Sequence, residues 1–210
     1  GQKAEAYKIY TNNGKKSNFK KLAKSSEKAD IILFGEFHNN PVSHWLKFEL
    51  IDYLINNKDI ILGSEIFEAD DQIHLSAYIE KRINKEEFDS LARLWPNYQT
   101  DYSSIVNLAR KNSVIFVATN IPRKYANMVF HNGFEVLDSL SDKEKAYIAP
   151  LPIDYDPELP GYKKMLSMGM MMKNKTSENF PKAQAIKDAT MAYFINKNYE
   201  EGKTFFHFPE

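Results

Sequence analysis

Three side chains that can take or release a proton, Glu36, His38 and His44, crowd into the stretch FGEFHNNPVSHW, residues 34–45. Glu36-x-His38 offers a hard oxygen and an imidazole, a pair suited to Zn, Mn or Fe, or to acid–base work on a bound substrate. Residues two apart on a strand face the same way, so both side chains would point at one ion if the strand ran that far. The plainer alternative is a polar loop, because a turn built on Asn-Asn-Pro is polar in any protein. His44 lies on the apolar line His44, Phe48, Ile51, Ile55, so a histidine at the edge of the core is as good a reading as a functional one.

The surrounding elements favour a site. The run ADIILFG, ended by Gly35, reads as an interior strand leaving a sheet. Pro41 then opens an amphipathic helix to about Asn57, the position a proline prefers. DIILFGE at 30–36 is echoed by DIILGSE at 59–65, which places Glu65 as the last residue of a second strand one βα unit later. SVIFVATN supplies a third strand ending at Asn120, and KTFFHF a fourth carrying His207. A short strand and an Asn-Gly turn precede them, and helices are expected at 18–28, 68–81, 84–94, 103–111 and 181–199. The expected class is α/β, with a mainly parallel sheet flanked by helices in one domain spanning 1–210. Parallel strands put their carboxyl ends on one edge, where Glu36, Glu65, Asn120 and His207 would meet.

Other candidates carry weaker signals. Gln184 and Asp188 share a helical face with Met191 and Ile195, so they need polar partners there, whether at the sheet edge or behind the Glu and His groups. Met165, Met168, Met170, Met171 and Met172 read as core or a dimer contact ahead of a soft wall for a flat ligand. Tyr102 and Tyr162 border loops, the second beside the proline-rich APLPIDYDPELPG, and both are within reach of a ligand. His74 and His131 read as packing or helix-end residues.

Bulk composition narrows the classes. With 210 residues, 43% hydrophobic and 27% charged, the chain can bury a sizeable core. Lys+Arg and Asp+Glu both total 28, without long runs of one sign. That argues against a nucleic-acid partner, although Arg123-Lys124 remains a local basic spot. There is no cysteine, which excludes disulfides, thiolate metal sites and Cys nucleophiles. GxSxG, HExxH and Gly-rich phosphate loops are absent. The start at Gly1 suits an exported protein with its leader removed and a trimmed cytosolic one equally.

ADIILFGEFHNNPVSH, then GSEIFEADDQ with Glu65 and Gln72, resembles the ChaN-like family. The tyrosine of QTDYSSIVNLA, VATNIPRKY and the helix AQAIKDATMAYFI follow in order, so the resemblance runs from about residue 30 to 207. It implies an exported, often lipid-anchored bacterial protein of the periplasm or outer membrane, active in iron and haem uptake. It also implies haem held through a tyrosine within a homodimer. The wider superfamily is similar to erythromycin-esterase-like proteins and to metal-dependent membrane peptidases. Carried over, their shared site is Glu36, His38 and Glu65, with Asn120 and Arg123 beside it. ChaN-like chains continue through a second Gly-x-x-His turn, whereas this sequence closes on FFHFPE with His207 alone. The expectation is therefore a haem- or iron-binding protein with a pocket drawn from Tyr102, Asn120, Arg123, Tyr162, Met168, Gln184, Asp188 and His207. The alternative is a hydrolase using a divalent metal at Glu36, His38 and Glu65. A member that only scaffolds a partner is the third reading.

Overall fold

The structure, a computed structural model, describes residues 6–171 and 177–209; Gly1 and Met172 lie outside them. A hairpin comes first, with Ile9–Tyr10 (β1) antiparallel to Lys16–Ser17 (β2) and Gly14 at φ +76° in the turn. Helix α1, Phe19–Ser26, starts where the Asn18 side chain accepts a hydrogen bond from the Lys21 amide at 2.9 Å. Strand β3, Ile31–Leu33, leads to α2, Pro41–Ile55. There Asn40 accepts from the Val42 and Ser43 amides, each at 3.1 Å, and Pro41 follows it. An Asn cap followed by Pro satisfies or removes the amides that a helix start leaves unpaired, which explains why the turn NNP is polar.

Strand β4 covers Ile60–Glu68, followed by α3, Gln72–Ile79, and α4, Lys85–Leu91, which opens on an Asn84–Glu87 capping box. A π-helical turn at Tyr98–Tyr102 feeds α5, Ser103–Asn112, and β5 follows at Phe116–Asn120. The remaining elements are α6 (Arg123–Asn132), α7 (Asp142–Lys145), α8 (Pro160–Met171), α9 (Phe180–Asn198) and β6 (Thr204–Phe208).

Four strands form a parallel sheet in the order β3-β6-β4-β5, so the α/β expectation holds. The last strand of the chain is interior: His207 stands opposite Leu33 on one side and Gly63 on the other. A Cβ at residue 63 would lie 2.6 Å from the Phe205 ring and 3.2 Å from His207, so only glycine lets those rings lie across β4.

Two boundaries differ from expectation. Strand β3 stops at Leu33, so Glu36 and His38 lie beyond it and the two-residue alternation of a strand does not align them. Strand β4 continues three residues past Glu65, because Ile66 and Phe67 are buried and extend the apolar run.

Contacts within the chain gather into two compact units. The first takes the described residues up to Ser64, then His74–Phe116 and those from Tyr199 on; the second takes Glu65–Ile73 and the described part of Val117–Asn198. In the second, Ile121, Tyr125, Val129, Leu137 and Ile186 form a buried cluster joining α6 to α9.

Candidate functional site

In the first unit Glu36 turns inward directly after β3, and its side chain is 0% exposed. Its Oε1 accepts from the Lys47 ammonium, also 0% exposed. The ammonium sits over the rings of Phe208 at 4.2 Å and Tyr102 at 4.6 Å. Lys47 follows from the helix geometry: His44, Lys47, Ile51 and Leu54 are all buried at spacings of three and four. A lysine on that apolar stripe is the signal in the sequence, and it lies one position away from the line His44, Phe48, Ile51, Ile55.

His44 completes the cluster. Its Nδ1 stands 2.9 Å from Glu36 Oε2, off the line of a good hydrogen bond. Its Nε2 lies 3.1 Å from the His38 carbonyl oxygen and 3.8 Å from Asp101 Oδ2. Tyr102 packs edge-on against His44 and is 0% exposed, with no hydrogen-bond partner for its hydroxyl among the described residues. The candidate pocket tyrosine Tyr102 is therefore sealed inside. A buried carboxylate needs a cation, and here Lys47 is that cation.

A divalent metal at Glu36, His38 and Glu65 finds no support: among the described residues no three His, Asp or Glu are placed to hold one. His38 is exposed on the loop, with its ring 5.4 Å from Trp95, while Glu36 points inward to Lys47. His207 is buried on β6, and burial pushes its pKa down to about 4, so it is a neutral imidazole at pH 7.

The second unit holds a different arrangement. Tyr162, at the start of α8, donates to Asp188 Oδ2 at 2.7 Å, and Gln184 Nε2 donates to Asp188 Oδ1 at 2.9 Å. Gln184 and Asp188, four apart on α9, thus share one face as their spacing predicts. Burial first, and then the bond to Asp188, raises the Tyr162 pKa, so its phenol keeps its proton at neutral pH. Tyr162 is only half-buried, its ring 5.5 Å from that of Tyr155. Met168, on the same helix, is 51% exposed, which does not fit the core reading of the methionine run. Of that run, Met172 and the side chains of Met170 and Met171 lie outside the described residues.

Asn120 and Glu65 also meet within this unit, but through the backbone: Asn120 Nδ2 donates to the Glu65 carbonyl oxygen at 3.0 Å. Asn120 Oδ1 is buried without a partner among the described residues. Gln72 Oε1 accepts from the Ala118 amide at 2.6 Å, tying α3 to β5. Arg123 is the exposed first residue of α6.

The chain is similar to known proteins in fold and in family. ChaN of Campylobacter jejuni, solved in a study of its cofacial haem binding, matches with a TM-score of 0.69 at 16% identity, over 96% of this chain and 78% of that one. A structure described under bacterial protein toxins matches at 0.51 and 14% identity, over 92% of this chain and 31% of that one. No curated protein matches. At such identities the structures establish the fold alone. A family model is more telling, for the one described as "Haem-binding uptake, Tiki superfamily, ChaN" matches residues 22–209. From the strand before Glu36 to the strand carrying His207, this chain belongs to the ChaN family of haem-binding uptake proteins.

Proposed function

We propose that this protein binds haem in its second unit, with Tyr162 as the axial ligand and Asp188 as the group that takes up the hydrogen bond and proton of its phenol. The single observation that carries the reading is the chain Gln184–Asp188–Tyr162, which pairs a half-exposed tyrosine with a carboxylate held from its other side. Ferric haem supplies a cationic iron that accepts an anionic oxygen donor. Tyr162 alone has its proton held in place by burial and Asp188, so deprotonation is confined to the ligated state. Gln184 fixes the carboxylate so that Oδ2 faces the phenol. Tyr155 offers aromatic surface next to the ring, and Met168 is exposed further along the same helix, apolar groups of the kind a flat macrocycle requires. Tyr102 is a poor ligand by comparison, since its hydroxyl is closed in among His44, Trp95 and Lys47.

Family membership supports a place in haem or iron acquisition, with export, a lipid anchor and a haem-enclosing homodimer as the wider proposal. Among the described residues no helix is long and apolar enough to cross a membrane. Titration with haemin, followed by visible absorption, tests the core of the proposal. A saturable tyrosinate-type spectrum is expected that disappears in Tyr162→Phe and persists in Tyr102→Phe. The same spectrum surviving in Tyr162→Phe would sink the ligand assignment, and no saturable shift in the unaltered chain would sink haem binding.

A further inference from the structure

The first unit contains a recess that the haem reading leaves unused. His44, Trp45 and Phe48 on α2 face Thr100, Asp101 and Ser104 across a cleft of about 290 Å³, at the small end of ligand pockets. Its chemistry is one-sided. Trp45 is 47% exposed, with the Tyr7 ring 5.7 Å away, so much of the indole is open to solvent. Asp101 contributes a carboxylate whose Oδ2 accepts from Asn97 Nδ2 at 2.8 Å, while Oδ1 takes no hydrogen bond among the described residues. Lys and Arg are missing from the lining, and Lys47 of the same helix is turned inward onto Glu36. The cleft thus combines aromatic walls with a carboxylate whose neighbouring basic group is the His44 imidazole, Nε2 3.8 Å from Oδ2, and no lysine or arginine lines it.

An ammonium ion suits such walls. An indole attracts a cation electrostatically, and a carboxylate accepts its N–H groups in charge-assisted bonds. An anion would meet Asp101, and a neutral apolar molecule would leave the Asp101 oxygen without a partner. We propose that this cleft is a second binding site, selective for a small organic cation: a primary amine on an aryl or short alkyl body. The amine is placed at Asp101 and the body against Trp45 and Phe48. The Thr100 and Ser104 hydroxyls at the rim can take its remaining N–H groups. The inference is independent of the haem reading, which concerns other residues.

Three probes of matched shape and different charge test it: 2-phenylethylamine, 2-phenylethanol and phenylacetate. Binding is read from Trp45 emission in a Trp95→Phe background, and by calorimetry in the unaltered protein. The amine is expected to saturate, with the alcohol and the carboxylate roughly tenfold weaker or worse. Asp101→Asn should erase that preference while leaving the melting temperature in place. If Asp101→Asn melts early, Trp45→Leu at an exposed position serves instead and should weaken amine binding by calorimetry. Equal affinity for the three probes, an amine that never saturates, a preference surviving Asp101→Asn or, where that variant melts early, amine binding undiminished in Trp45→Leu would overturn the assignment. Haemin titration of the same samples keeps the two proposals apart, because Tyr162→Phe must leave amine binding unchanged.

Discussion

Glu36 and Asp188 are both carboxylates held by a partner from another part of the fold, yet the two regions use them in opposite ways. Glu36 faces a full positive charge, Lys47, in a place with no exposure at all, and the rings of Tyr102 and Phe208 close over the ammonium. Among the described residues Asp188 accepts from two neutral donors, Tyr162 and Gln184, on a helix face that is half-buried. A buried ion pair resists the loss of either member, because the survivor is then an uncompensated charge. A neutral network beside solvent gives up a donor cheaply and can exchange it for a ligand. The stretch that looks most catalytic in the sequence is thus the more structural of the two, and the less conspicuous helix is the more accessible.

The sharpest way to break this contrast is at Glu36. Glu36→Ala should cost about 3–5 kcal/mol in urea unfolding, because the buried Lys47 ammonium loses the carboxylate it faces. Replacing both partners together, Glu36→Leu with Lys47→Met, should recover most of that loss. If Glu36→Ala proves mild, the pair is not closed in solution and the comparison fails.

Next in size comes an effect of pH in the first unit. The folded pKa of His207, about 4, lies below its ordinary 6.5, so between those values the unfolded chain binds more protons than the folded one. Stability from this group is therefore complete above pH 6.5 and declines as pH falls towards 4. The total loss is about 3 kcal/mol. Unfolding midpoints measured across that window should slope in the unaltered protein and flatten in His207→Phe. An unchanged slope in the variant would place the acid sensitivity elsewhere.

The smallest effect belongs to the second unit. Tyr162→Phe removes one half-buried hydrogen bond and should lower stability by only about 1 kcal/mol. A loss as large as that of Glu36→Ala would mean that the Tyr162 network is as structural as the Glu36 pair. A small loss together with a vanished haem spectrum sharpens the distinction between them.

Much of the frame was legible in the residues. Short apolar runs with Gly and Pro punctuation located the four sheet strands, and Pro41 located the start of α2. The face Gln184–Asp188 came from helical spacing alone, and the two residues do share a hydrogen-bond network. Strand ends were less legible: the extension of β4 past Glu65 depends on whether Ile66 and Phe67 find neighbours to bury against. The expected convergence of Glu36 and His38 failed for a similar reason, since the alternation of side chains holds only while the strand lasts, and β3 ends at Leu33.

By itself the sequence determined the class of fold and the order of its elements, because periodicity and turn chemistry are local properties of the chain, and its motifs carry the resemblance to the family. Only the tertiary structure decided what each polar group faces. Lys47 is eleven residues from Glu36, and Asp188 twenty-six from Tyr162. Pairings at such separations follow from which faces pack together. Whether a carboxylate meets an ammonium or a phenol, and whether water reaches it, is set by that packing and the burial it brings.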